Sequence, residues 1–182
     1  MSRTMDGLRE DDFNEDYFTA WCEGQTGYPM VDACMRALNA TGWLNFRMRA
    51  MLMSFASYHL WLDWKKPALH LARLFTDYEP GIHISQLQMQ AGITGINAIR
   101  VYSPSKQFLD QDSDGIFVRR WVPELRDHTT VEIAHAPDLN LRTYVKPIIS
   151  FKEQIKKMKD QIFAIRKSDL GRRSASDMLK TH

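Results

Sequence analysis

The sequence predicts an all-α fold, a bundle of short helices, on two observations. Apolar residues recur at spacings of three and four, as in Val31, Cys34, Met35 and Leu38 or in Leu71, Leu74 and Phe75. That periodicity places them on one face of a helix. Between such stretches stand Gly and Pro clusters, Glu23-Gly24-Gln25-Thr26-Gly27-Tyr28-Pro29 above all, which punctuate one helix from the next.

In order, Asp11 to Trp21 reads as a first helix stopped by that cluster. Pro29 suits the first turn of the next helix, where its missing N–H costs nothing, and Thr41-Gly42 ends it. Leu44 to about Trp64 is apolar on almost every face, the pattern of a central helix with partners all round. Pro67 is read as a break, followed by a helix from Ala68 to Tyr78, a loop through Pro80-Gly81 and a short helix from Ile84 to Gln90. Residues 92–115 are turn-rich and read as irregular backbone wrapped around something, since loops this long are usually functional. Ile116 to Trp121 is a short helix ended at Pro123. Residues 126–147 read as loop, and Ser150 to Lys167 as an amphipathic helix.

With 182 residues the chain fits one domain and suffices to bury roughly 70% of its unfolded surface. The layout expected is a single helical domain: an acidic N-terminal segment (1–16), a core (17–127) and a C-terminal loop and basic helix (128–182). Two cysteines, Cys22 and Cys34, form no metal-ligand pattern and are expected to be buried, reduced thiols. The N-terminal residues lack the apolar core of a signal peptide. The most apolar stretch, Met48 to Trp64, holds Arg49, His59 and Asp63, which argues against a membrane span. A soluble intracellular protein is expected. The net charge of +2 is uneven: ten Lys/Arg and four Asp/Glu from Lys146 onward leave −4 for the rest. That basic tail is either a solvated helix face or a surface for nucleic acid.

Arg49 draws attention because Met53, Ala56 and Leu60 follow it on an apolar helical face. A guanidinium so placed needs a carboxylate, and the run Asp77-Tyr78-Glu79 can supply one. The pair is either a core clamp or part of a ligand site. Trp21, Trp43, Trp61 and Trp121 are expected to pack in the core, as are Met48, Met51 and Met53.

Taken together, Gly27-Tyr28-Pro29, Val31-Asp32-Ala33, Met35-Arg36, Leu38 and Thr41-Gly42-Trp43 resemble the photolyase/cryptochrome family. So do Arg47, Arg49, Ser54-Phe55, Leu62-Asp63-Trp64, Asp77, Thr94-Gly95, Tyr102-Ser103-Pro104 and Arg119/Arg120-Trp121-Val122-Pro123-Glu124-Leu125. The match is collinear over residues 18–127, with a weaker echo from Tyr144 to Glu153. The resemblance implies the C-terminal part of the helical domain that holds FAD in a U-shape, without the N-terminal α/β antenna domain. It implies cofactor contacts from Arg49, Asp77, Tyr78, Glu79, His83, Asn45 and Trp43, with the Arg49–Asp77 pair beside the isoalloxazine ring. DNA-facing positions fall at Phe46, Arg47 and Met89, and Trp64 occupies one position of the family's electron-transfer tryptophan chain.

Departures from the family pattern are specific. Leu87-Gln88-Met89 stands where photolyases have Trp-Gln-Trp, so the position nearest the flavin cannot carry a radical and one base-stacking platform is gone. His83 replaces the ring-proximal asparagine; it is either a flavin N5 partner or an ordinary loop histidine. Asn45-Phe46-Arg47 replaces His-Asn-Arg, and Ile96-Asn97-Ala98-Ile99-Arg100 replaces the Thr-Asp-Ala-Ala-Pro-like loop. The segment that binds the FAD diphosphate, and the upstream tryptophan and glutamate of the lesion pocket, are not in this sequence. The expected function is a flavoprotein module for light-driven electron transfer, in DNA repair or blue-light sensing, completed by a second chain supplying the other half of the flavin site. The alternative is a non-catalytic remnant acting structurally or on DNA, through Arg47, Arg119, Arg120, Lys152, Lys156 and Lys157.

Overall fold

In the computed structural model the described residues are Arg9, 13–94, 101–139, 141–150, 153, 154, 156, 158, 160 and 161. Among them all regular structure is helical. The helices are α1 (Glu15–Glu23), α2 (Pro29–Thr41), α3 (Phe46–Ser54), α4 (Lys65–Leu74), α5 (Pro80–Gln90), α6 (Pro104–Gln111), α7 (Ile116–Trp121), α8 (Thr130–Ala134) and α9 (Ala136–Leu139).

The most enclosed helix is α2, which packs on α1, α3, α6 and α7. Pro29 to Met35, Ala37 and Leu38 are all buried, so its apolar stripe is the visible part of a nearly complete burial. That enclosure draws in a carboxylate. Asp32 accepts from the Thr26 N–H at 2.8 Å, the Thr26 hydroxyl at 2.6 Å and the Gly27 N–H at 3.0 Å, and from the Tyr144 hydroxyl. Burial pushes the Asp32 carboxyl up, while these donors oppose it. Four donors on one buried carboxylate tie the 24–29 loop to α2 and to a segment more than a hundred residues away. Gly27 cannot be replaced in that loop: its φ is +80°, and a Cβ would sit 2.4 Å from Pro147 Cα. Arg36, the half-buried residue of this stretch of α2, donates from Nη1 to both carboxylate oxygens of Glu124 at 2.9 and 3.0 Å and from Nε to the Gly24 carbonyl.

Several boundaries differ from those the sequence suggests. Helix α1 starts later, at Glu15, because the Asn14 side chain caps the Tyr17 N–H. The expected long helix from Leu44 to Trp64 is instead α3, capped by Asn45, running into a π-turn at Phe55–His59. The chain then breaks at Trp61, whose φ is +56°. The Arg9 guanidinium lies over the Trp61 ring at 4.7 Å and the Tyr58 ring at 5.4 Å and donates to the Ala91 carbonyl, which packs this bend. Pro67 falls in the first turn of α4, where a proline is tolerated, and α4 ends at Leu74, so Phe75 to Glu79 are non-helical. Pro80 is the first residue of α5 and Glu79 its cap. Within the stretch expected to be irregular, Ser103 caps α6 at Pro104; residues 95–100, which include the divergent Ile96–Arg100 loop, lie outside the described residues. So does most of the expected Ser150–Lys167 helix, although Met158 is buried.

Trp21 and Trp61 are buried, and Trp121 is partly so. Trp43 departs from expectation at 57% exposed, because Gly42 ends α2 in a left-handed turn just before it. Met48, Met51 and Met53 are core residues, Cys34 is buried and Cys22 half-buried. No helix among the described residues is long and apolar enough to cross a membrane.

Two outcomes follow. Asp32→Asn presents an NH2 group to donors and is expected to destabilise the fold by about 2–4 kcal/mol, measured as a lowered urea midpoint. His59 is fully buried, and burial pushes its pKa down to about 4. The unfolded chain takes up that proton near pH 6.5 and the folded chain only near pH 4, so this stability is full above pH 6.5 and drains as pH falls toward 4. Unfolding in urea at pH 7.5 and pH 5 is expected to differ by about 2 kcal/mol from this group; equal stabilities contradict it.

Candidate functional site

The α3 and α5 helices pack together, and the non-helical Phe75–Glu79 segment, which turns at Thr76 and Asp77, closes one end of the cleft between them. The result is a half-open cavity of about 150 Å³. Phe46, Ala50, Phe75, Ile82 and Leu87 give it apolar walls; Arg49, Asp77, Tyr78, Glu79, His83, Gln86 and Gln90 add polar groups.

Arg49 is held from three sides. Its Nε donates to the Leu44 carbonyl at 2.7 Å, its Nη2 meets Asp77 Oδ2 at 2.8 Å, and its guanidinium lies 4.1 Å above the Phe75 ring. The Asp77 carboxyl is held below the usual carboxylate range by that hydrogen bond and the neighbouring positive charge. The pair expected to be internal is not: the Arg49 and Asp77 side chains are 22% and 50% exposed. Arg49 leaves the apolar face of α3 because its long side chain reaches the cleft rim. The cost of 3–5 kcal/mol for breaking a buried pair therefore does not apply.

Glu79 caps α5, accepting from the Ile82 N–H at 2.6 Å, so part of its carboxylate is already engaged. His83 is buried, with Nε2 2.9 Å from the Ala68 carbonyl; since a carbonyl only accepts, Nε2 carries the proton. Its ring stands edge-on to Tyr78 at 5.1 Å and to Phe75 at 5.9 Å. Burial, and next the nearby Arg49 charge, lower the His83 pKa, while the Ala68 contact raises it.

The cleft thus brings together Arg49, Asp77, Tyr78, Glu79 and His83, and it also takes Phe46, expected on a DNA-facing surface. The other sequence-picked positions lie elsewhere. Trp43 is exposed and outside the cavity lining. Asn45 spends its side chain on capping α3 at the Met48 N–H, 3.0 Å away. Arg47 faces solvent, Met89 is half-buried outside the cavity, and Trp64 is packed in the core. Ala50, Phe75, Ile82, Gln86 and Gln90 were not picked from sequence. For the last two a signal existed: His83, Gln86, Leu87 and Gln90 repeat at three, one and three, a single face of a helix.

Fold and cleft define a helical domain with a slot suited to a flat, partly polar aromatic ring: aromatic and aliphatic walls, a cation at the rim, and polar groups along α5. The family described as the FAD binding domain of DNA photolyase matches residues 1–164. The deoxyribodipyrimidine photo-lyase of Vibrio cholerae is 37% identical over 142 residues, covering 75% of this chain and 30% of that protein. The chloroplastic/mitochondrial cryptochrome DASH of Solanum lycopersicum is 35% identical over 136 residues, 74% of this chain and 23% of its own length. Among solved structures, an archaeal photolyase from Sulfolobus tokodaii with two FAD molecules superposes with a TM-score of 0.79 at 34% identity, covering 84% of this chain and 36% of that one. A class III photolyase from Agrobacterium tumefaciens gives 0.77 at 29%, covering 89% and 37%. This chain belongs to the photolyase/cryptochrome family and corresponds to part of its FAD-binding helical domain. It spans about a third or less of the length of the curated relatives it matches.

Because the Arg49–Asp77 pair is partly solvated, Arg49→Met is expected to cost no more than about 1 kcal/mol of stability. A larger drop in the thermal midpoint would show that the pair acts as a core clamp.

Proposed function

We propose that the α3–α5 cleft holds the isoalloxazine ring of FAD and that this chain is the C-terminal part of a flavin site whose remainder comes from another segment or a second chain. The observation that carries this reading is Arg49, stacked on Phe75 and paired with Asp77 at the rim of an apolar slot. The residues fit the group: the slot has aromatic and aliphatic walls for a planar ring, with polar groups at its rim and along α5.

FAD supplies light absorption and one-electron transfer. The chain's own contribution is electrostatic and geometric. The Arg49 guanidinium favours negative charge on whatever ring lies against it. Asp77 orients Arg49 and balances it when the slot is empty. His83, neutral near pH 7 and fixed by Ala68, offers its unprotonated Nδ1 as an acceptor. Phe75 and Leu87, both buried, would shield a ring held there from water, while Phe46 lies at the exposed edge of the slot.

Light sensing is favoured over lesion repair by one feature of this wall. Leu87 lines the cavity where the resemblance puts the electron-carrying tryptophan nearest the flavin, and Met89 stands where it puts a base-stacking tryptophan. Illuminating the holoprotein with oligonucleotide bearing a pyrimidine dimer separates the two uses, since restored bases would exclude a purely sensory role. A remnant that merely binds DNA through basic residues is less supported, because Arg119 is committed to the carbonyls of Asp114 and His128. Lys156 is exposed, while Lys152 and Lys157 lie outside the described residues.

The test is reconstitution with FAD and the upstream half of a photolyase FAD domain supplied as a separate chain. Vibronically structured flavin absorption that co-elutes with this chain is expected. Arg49→Met should weaken FAD binding roughly ten- to a hundredfold, the worth of one charge-assisted hydrogen bond. Failure of structured bands to appear would overturn the reading.

A further inference from the structure

Along α5, Gln86 and Gln90 sit one turn apart and both line the cavity. Gln90 is 3% exposed. The side-chain carbonyl oxygens of both are enclosed and have no hydrogen-bond partner. A buried acceptor without a donor is costly, and native structures seldom keep one without a reason. Two of them, four residues apart on the same wall, are placed to share one partner in the cavity.

The cavity's other polar groups do not provide it. Arg49 turns its Nε to Leu44 and its Nη2 to Asp77, and none of its N–H groups bonds to either glutamine oxygen. Asp77 and Glu79 are acceptors, and the Nε2 proton of His83 goes to Ala68. The missing component is a donor, and the occupant of the slot is the natural source. A glutamine amide turned about its last bond presents either its oxygen or its NH2 to a neighbour. Two adjacent amides can therefore accept one N–H and donate to a carbonyl beside it. Adenine, phosphate and simple aromatic rings do not combine one ring N–H with adjacent carbonyls. An imide does, and the oxidised isoalloxazine ring carries a single N–H, in its imide, between two carbonyls.

We infer that Gln86 and Gln90 are specificity-determining residues that read the imide edge of a flavin ring, accepting its N–H and donating to a flanking carbonyl. This rests on the flavin reading of the cleft and assigns one edge of the ring to one wall, α5. It also accounts for the buried amides, which serve no packing purpose that leucine or methionine would not serve better.

The imide N–H can be blocked on the ligand without altering the protein. In the reconstituted sample, FAD and N3-methyl-FAD are titrated by flavin fluorescence against the unaltered chain and against Gln86→Met/Gln90→Met. The unaltered chain is expected to bind FAD about tenfold more tightly than its N3-methyl form, and the double variant to bind both alike. Far-UV circular dichroism checks that the variant is folded, and the methylated ligand tests the unaltered chain regardless. Equal binding of the two flavins by the unaltered chain overturns this inference while leaving the flavin site standing, as does discrimination that survives in the double variant. Binding of neither flavin overturns the flavin reading and this inference with it.

Discussion

The fold depends on one buried carboxylate. Asp32 sits on the most enclosed helix and gathers the backbone of Thr26 and Gly27, the Thr26 hydroxyl and the Tyr144 hydroxyl. No cation is among these partners, so dipoles alone compensate the loss of water, which requires every donor to be in place. The same contacts fix where α2 begins and bring the segment around Tyr144 and Pro147 against the loop. Arg36 adds the opposite tie, from α2 to Glu124 and the Gly24 carbonyl. With α2 fixed, α3 has a fixed neighbour to pack on, and α5 packs in turn on α3, with the cleft between them.

That cleft is electrostatically asymmetric. At its rim a cation rests on an aromatic face and is half balanced by a carboxylate in partial contact with water. Along α5 two amides wait on hydrogen bonds the protein does not supply. On the proposed reading these polar groups cost stability until a ligand completes them. Membership of the photolyase/cryptochrome family points to FAD as the ligand class, and His83 and Leu87 line the cleft proposed for it.

Much of the framework was legible in the sequence because capping and punctuation are local. Pro29 opened α2, Gly42 closed it, and Pro123 followed α7. What escaped has physical reasons. The π-turn at Phe55–His59 and the bend at Trp61 carry no Gly or Pro, and depend on packing with Arg9, far away in sequence. Pro67 and Pro80 were read as breaks, although proline starts a helix as readily as it stops one. Asn45, which the resemblance puts among the cofactor contacts, caps α3 through its side-chain oxygen. The Arg49–Asp77 pairing was legible from charge and periodicity; its partial solvation was not, since side-chain length decides whether a guanidinium stays inside or reaches the rim.

The central claim is that an isoalloxazine ring occupies the cleft beside Arg49, and the Arg49 Nε–H resonance in a nitrogen-detected NMR titration reports on it most directly. That proton is anchored to the Leu44 carbonyl in the structure, which makes it a sharp and assignable signal. Addition of flavin to the completed domain should shift it in a saturable manner, together with side-chain amides of Gln86 and Gln90. Saturable shifts confined to other helices, with the Arg49 signal unmoved, would contradict the account.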